Sequence, residues 1–260
     1  MVYNFNVRNN FNSLFEFIRF ELCVFASFIG MTGYLLFSPL SLNLVFVALS
    51  SFFVCAGGYA YNNITDRKED LINRKRVIFF SLNNKSYLIV IFSFLIALLF
   101  ALPLSFYSSF FTVMEIIIGI TYSLFRIKKY FLLKNIYTGF GVTQIFLLGA
   151  GNITIEIIQY YLLISFFIFI GSIISDLRDY KGDKNKGIRT LPVSLGYNKT
   201  KELVYFLLTV FFILILIYSD LLVLLPFALI MFFSLYKNNP SFAHSCGGFS
   251  LIFLTLRLMI

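Results

Sequence analysis

Nine stretches of mostly apolar residues run through this 260-residue chain, at roughly 13–38, 41–61, 86–103, 106–125, 131–150, 155–175, 200–218, 220–236 and 244–260. They limit what it can fold into. Each approaches the length of about 20 residues that a helix needs to cross the hydrocarbon of a bilayer. In lipid every backbone polar group must be bonded within the protein, which leaves only helices and closed barrels. Barrel strands alternate apolar and polar residues. Runs such as Leu203–Ile217 do not alternate, so helices are expected. The expected fold is all-α: a polytopic membrane protein of about nine transmembrane helices, packed as one bundle around a central cavity. It should form a single domain over residues 1–260, with cap loops near 63–85 and 177–199. Composition agrees. Only 13% of residues are charged and 59% are hydrophobic, with a mean hydropathy of +0.87. A soluble domain carries about 25% charged residues to cover its surface.

The first apolar stretch follows Asn-rich sequence and has no small-residue cleavage site behind it, so it is expected to remain as a helix rather than be removed as a signal. Cys23, Cys55 and Cys246 are not closely paired in sequence, and all three fall inside predicted spans. They read as small buried apolar residues. A lone His244 makes no metal cluster.

The net charge of +9 invites a nucleic-acid reading, but the placement of the charges argues against it. Of the 21 Lys and Arg, twenty fall at the N-terminal end or in the connections after spans two, four, six and eight. With alternating crossings these all lie on one face. The opposite connections, near Ser38–Ser41, Pro103–Ser105, Gly151–Ile155 and Ser219–Asp220, hold no Lys or Arg; only Arg257 departs from the pattern. Basic connections lie on the cytoplasmic side of a cell membrane. Most of these bases serve topology and anionic lipid headgroups.

Two basic connections are also acidic. Residues 59–76 read YAYNNITDRKEDLINRKR, and residues 175–196 read SDLRDYKGDKNKGIRTLPVSLG. Helical steps of three or four return to one face. Asn62, Asp66 and Asp70 therefore form one polar stripe, and Asp176, Asp179 and Asp183 form another. Both extend from the cytoplasmic ends of spans, two and six. Like charges at that spacing repel on a bare helix. A cation relieves the repulsion. Carboxylate oxygens select hard cations, and Mg²⁺ takes one or two carboxylates and completes its shell with water and phosphate oxygens. The neighbouring Arg67, Lys68, Arg74, Arg178, Lys181 and Lys184 suit a phosphate bridged by the metal. Acids among bases at a membrane surface also occur as plain solvated loops. Two stripes at helical spacing on one face of the membrane favour the metal–diphosphate reading. Tyr122 and Arg126 end span four, with Lys128 and Lys129 behind them. Glu115 lies seven residues before Tyr122 on the same face. An ionisable group inside a span is a functional candidate.

Together these residues resemble the UbiA superfamily of intramembrane prenyltransferases. Asn62, Asp66 and Asp70, followed by Asn73 and Arg74, match the family's first motif. Asp176, Asp179 and Asp183, running into Gly187, Thr190, Leu191 and Pro192, match its second. Tyr122–Ser123 with Arg126 and Lys128 is similar to the region between them. The likeness covers essentially the whole chain. Lys75, Arg76, Val77 and Ile78 depart from it where family members carry a proline-containing loop, which puts the role of Arg76 in doubt.

The resemblance implies prenyl transfer from a polyprenyl diphosphate donor, with Mg²⁺ as cofactor. It implies Asp66, Asp70, Asp179 and Asp183 as catalytic residues, and these four with Asp176 as metal ligands. Asn62, Arg67, Arg74, Tyr122, Arg126, Lys128, Arg178 and Lys184 would bind the diphosphate. The active site would face the cytoplasm. The acceptor is a lipid phosphate or an aromatic ring. Arg19 and Glu21 near the start of helix one, and the GDKNKGIRTLPVSLG stretch, are similar to the archaeal ether-lipid branch. They favour geranylgeranylglyceryl phosphate over an aromatic acceptor such as 4-hydroxybenzoate. A rival of another class is a cation-coupled transporter, which would place its acids near the midplane on broken helices. A CDP-alcohol phosphotransferase would need a D-G-x-x-A-R signature that is absent.

Overall fold

The structure is a computed structural model that describes residues 10–72, 86–185 and 187–260, with the side chains of 10–13, 68–72 and 129 left out. Helices follow one another in this order: α1 (Asn10–Ile18), α2 (Phe20–Phe37), α3 (Asn43–Ile72), α4 (Ser86–Ala101), α5 (Phe106–Leu124), α6 (Leu133–Ile136), α7 (Gln144–Ala150), α8 (Ile155–Asn185), α9 (Leu191–Leu195), α10 (Tyr197–Ile215), α11 (Leu224–Tyr236) and α12 (Pro240–Met259). Five of them, α2, α3, α5, α8 and α12, are long and apolar enough to cross a membrane, and α4 and α11 are shorter apolar helices.

Among the described residues each of the nine expected stretches falls on helical structure, but two are broken. Stretch 13–38 divides into α1 and α2 at Arg19, which stands in the left-handed region at φ 52. Stretch 131–150 divides into α6, a wide π-helical turn at Tyr137–Gly141, and α7. The turn leaves carbonyls that other groups take up. Tyr161 Oη donates to the Phe140 carbonyl at 2.8 Å, and Thr143 Oγ1 donates to that of Gly139.

The outer surface explains the hydropathy. Leu88, Phe92, Leu95 and Leu99 repeat at helical spacing on α4 and are all exposed, as are Phe206 and Ile213 on α10. Such faces suit acyl chains. Inside, helices associate through close approach and hydroxyls, as is usual where lipid removes the hydrophobic drive between helices. A Cβ at Gly149 on α7 would stand 1.9 Å from the Gly30 carbonyl oxygen of α2. One at Gly33 would stand 2.1 Å from the Phe146 carbonyl oxygen. Glycine at both positions therefore lets α2 and α7 touch backbone to backbone. Thr32 and Thr255 share a buried hydrogen bond of 2.8 Å between α2 and α12, and Ser50 on α3 donates to the Ala97 carbonyl of α4 at 2.9 Å.

Two helices overshoot. α3 has 30 residues and α8 has 31. At about 1.5 Å per residue each is about 45 Å long, against about 30 Å of hydrocarbon. The surplus carries the acidic stripes. Arg257, the exception to the charge pattern, donates to the backbone carbonyl of Asp220 at 2.9 Å, while Tyr160 donates to the Asp220 carboxylate at 2.9 Å. It serves as a tie at the opposite end of the bundle.

Candidate active site

The eight residues from Phe125 to Leu132 join α5 to α6, and together with α6 they link the two stripes. A short 3-10 turn (Ile127–Lys129) carries Lys128, and α6 carries Lys134 and Asn135. Lys128 Nζ lies 2.6 Å from Asp66 Oδ1 on α3. Lys134 Nζ is paired with Asp176 Oδ1 on α8. One connection therefore reaches both acidic helices with a lysine each. Its backbone is held in an unfavourable shape, since Arg126 and Leu132 both adopt positive φ, 52 and 61. Each such residue costs about 1–2 kcal/mol relative to a right-handed one. Neither residue is glycine, so the surrounding contacts hold the shape in place.

On the first stripe, Asn62 Nδ2 donates to Asp66 Oδ2 at 3.2 Å, one turn along the same face. Ser123 on α5 donates to Asn62 Oδ1 at 3.3 Å, so the amide is oriented from both sides. Asp66 keeps 15% of its side-chain surface exposed. Asp70 lies on the same face of α3, but its side chain is outside the described residues, as is Arg74 altogether.

On the second stripe the three aspartates differ. Asp176 is 2% exposed, and its second oxygen accepts from Asn135 Nδ2 at 3.0 Å. Asp179 is half exposed and is gripped by its neighbour Arg178, whose Nε and Nη2 donate to the two carboxylate oxygens at 2.9 Å each. Asp183, one turn further on, is half-buried near the end of α8. Arg178 also donates to Ser175 at 3.0 Å, and the Lys184 ammonium stands 5.8 Å over the Tyr180 ring. Arg67 is half-buried beside Asp66, and Arg126 is exposed at the start of the connection.

Tyr122 lies between the stripes. Its hydroxyl feels the charges of both Asp66 and Asp176, and that of Arg19 as well. Its ring centre is 6.0 Å from that of Tyr137. Arg19 stacks over Tyr59 of α3 at 5.0 Å. The left-handed break before α2 thus turns a guanidinium toward the same end of the bundle. Glu21 is exposed in the first turn of α2.

Two turns deeper, Glu115 is 8% exposed and its Oε2 has no hydrogen-bond partner among the described residues. Glu115 of α5 is within electrostatic reach of Cys55 of α3 and Tyr161 of α8.

The donor set can be compared with the cation expected. Among the described residues no three His, Cys, Asp or Glu side chains are grouped tightly enough to hold a metal by protein alone. Mg²⁺ does not require that, since it is typically held by one or two carboxylates with phosphate and water oxygens filling the rest. Asp179 is a half-exposed oxygen donor and Asp66 a partly buried one, with guanidinium and ammonium groups beside them that suit phosphate. The set fits Mg²⁺ with a diphosphate. Lys134 and Asn135 were not among the candidates read from the sequence. Lys134 looked like one more base in a basic connection, and nothing local marks its partner 42 residues away.

Fold and site together define a helical membrane protein with a cluster of carboxylates, lysines and a tyrosine at one end of its bundle. Comparison with known proteins places it more narrowly. The model of the UbiA prenyltransferase family matches residues 22–243, and the chain belongs to that family. Digeranylgeranylglyceryl phosphate synthase of Methanococcus maripaludis strain C5 is 30% identical over 246 residues, covering 85% of this chain and 79% of the relative. The protein of the same name from Methanocaldococcus jannaschii is 30% identical over 199 residues, covering 74% and 69%. A solved UbiA homologue of Archaeoglobus fulgidus, bound to DMAPP and Mg²⁺, superposes with a TM-score of 0.74 at 17% identity, covering 95% of this chain and 99% of that one. A solved digeranylgeranylglyceryl phosphate synthase superposes with a TM-score of 0.70 at 24% identity, covering 96% of each chain. The chain is thus a prenyltransferase by family, and the transporter reading falls away.

Proposed function

We propose that this protein transfers a geranylgeranyl group from its diphosphate to geranylgeranylglyceryl phosphate in membrane ether-lipid synthesis, on the cytoplasmic side of the cell membrane. The observation that carries the reaction class is the pair of lysine–aspartate contacts, Lys128–Asp66 and Lys134–Asp176, made by one short connection between two acidic helix ends. The acceptor rests on the relatives that bear the name of that synthase.

In this reading Asp66, Asp70, Asp179 and Asp183 would hold Mg²⁺, which would supply Lewis-acid charge at the diphosphate. Lys128 moves its ammonium from Asp66 to a phosphate oxygen, a shift of one contact for a flexible side chain. Asn62, held by Ser123, keeps the Asp66 carboxylate oriented. The Tyr122 hydroxyl lies where both stripes are felt and donates to the leaving diphosphate. Arg67, Arg74, Arg126, Arg178 and Lys184 supply further positive charge around it. As the allylic C–O bond breaks, its electron pair leaves with the diphosphate. The new C–O bond forms to the acceptor's hydroxyl oxygen, and the hydroxyl proton departs to water at the site. The fixed cations favour this step because they face charge that grows in the transition state.

The test is to incubate membranes carrying the protein with labelled geranylgeranyl diphosphate and separate acceptors: geranylgeranylglyceryl phosphate, 4-hydroxybenzoate and none. A labelled lipid phosphate appearing only with the first acceptor is the expected result. A labelled aromatic product would overturn the acceptor, and no product with any acceptor would overturn the reaction.

A further inference from the structure

We propose that Lys134 is a fixed cation of the diphosphate site, and that Asp176 is its positioning residue rather than a metal ligand. The proposal rests on the reading of the site as a diphosphate site and adds a residue to it. Three observations carry it.

The first is how fully Asp176 is used. It is 2% exposed, with one oxygen on Lys134 and the other on Asn135 at 3.0 Å. Asn135 is 1% exposed and its amide nitrogen also donates to Ser172 at 3.0 Å. Both carboxylate oxygens are therefore held by neighbouring residues of α6. A metal ion would have to displace both partners and would strand a buried amide. Asp66 also carries a lysine, but its amide partner lies on its own helix and it retains 15% exposure.

The second is where the ammonium stands. Lys134 is 26% exposed, so it is neither sealed in the core nor free in solvent. Its charge reaches Asp179, and that of Asp176 reaches Tyr122. The pair is therefore within electrostatic reach of both Asp179 and Tyr122. An ammonium has three N–H donors, and Asp176 takes one in the contacts described.

The third is the physical role of such a pair. A lysine on a flexible stem loses rotamer freedom when it binds phosphate. Held by a buried carboxylate, it has lost that freedom before substrate arrives. Its charge stands ready where negative charge collects. A buried carboxylate without its cation is costly, which explains why the partner is retained.

The experiment uses the full chain in detergent, with Lys134→Met, Asp176→Asn, the double variant and Asp179→Asn. Two quantities are read for each: Mn²⁺ binding, from the free-ion electron paramagnetic resonance signal, and equilibrium binding of labelled geranylgeranyl diphosphate. Lys134→Met and Asp176→Asn should each weaken diphosphate binding about tenfold. The double variant should be no worse than Lys134→Met alone. Mn²⁺ binding should stay within about twofold in all three and drop in Asp179→Asn. Lys134→Met leaves a buried carboxylate alone and could unfold. The double variant removes both charges and keeps the test decisive. Loss of Mn²⁺ sites in Asp176→Asn to the extent seen in Asp179→Asn would overturn the assignment of Asp176. Unchanged diphosphate binding in the double variant would overturn that of Lys134. Failure of wild-type protein to bind the diphosphate would overturn the reading of the site itself, a distinct result.

Discussion

Gly149→Ala should unfold this protein at a markedly lower temperature, and the size of the effect follows from the α2–α7 crossing. The added Cβ would stand 1.9 Å from the Gly30 carbonyl oxygen and 2.8 Å from its carbon. A tolerable C···O contact is about 3.3 Å, so the helices must part by about 1.4 Å at that point. Both close atoms are backbone, so no side chain can swing aside. A gap of about 0.5–1 Å already forfeits a quarter to a half of each contact's attraction, about 0.1–0.2 kcal/mol per atom pair. The seam includes the fully buried Ile29 and Phe146, so tens of such pairs are affected. The expected cost is about 2–3 kcal/mol, the upper part of the range for overpacked cores. For a chain of this size that is a fall in Tm of about 4–12 °C. Gly248→Ala is the control, because a Cβ there meets nothing within 4 Å. It should leave Tm unchanged or raise it slightly through helix propensity. The assay is thermal unfolding of the purified protein in one detergent, followed by loss of the monodisperse peak in size exclusion. A Gly149→Ala protein that melts with the wild type would refute the backbone contact between α2 and α7.

Other outcomes are expected from the site and the helix contacts. Asp66→Ala or Asp179→Ala should lower kcat by about 10²–10³-fold or more while the protein inserts and melts normally; full activity in either would contradict the metal assignment. Chelation of divalent ions should stop turnover and Mg²⁺ or Mn²⁺ should restore it, whereas unchanged rates after chelation would remove the metal from the reaction. Thr255→Val breaks the hydrogen bond to Thr32 and should destabilise by about 0.6 kcal/mol, measured by the same melting assay. Arg257→Met should cost about 1 kcal/mol of stability through the lost bond to the Asp220 carbonyl and leave kcat unchanged, because it lies at the far end of the bundle.

The apolar stretches and the two stripes were legible because both are local. A span is a run of side chains, and a stripe is a spacing along one helix. The breaks were not legible. Arg19 takes a left-handed conformation with no proline or glycine to announce it. The π-helical turn at Tyr137–Gly141 is met by Tyr161 of another helix, which donates to the Phe140 carbonyl. The different contacts of Asp176 and Asp179 were hidden for the same reason. Their spacing makes them equivalent on one face, and only Lys134 and Asn135, arriving from a connection some forty residues earlier, set the first apart. Arg257 looked like an error in the charge count until the Asp220 carbonyl gave it a partner.

The surplus length of α3 and α8 has a consequence for which atoms of a substrate are wet. Each rod is about 15 Å longer than the hydrocarbon is thick, roughly ten residues' worth of rise, and its acidic residues lie on that surplus. A molecule with a charged head and a long hydrocarbon tail, seated there, has its head hydrated and its tail immersed, with the bond to be broken at the boundary between them. The released pyrophosphate then has only water ahead of it and the lengthened lipid only bilayer beside it. The two products part into different phases, which makes the step hard to reverse.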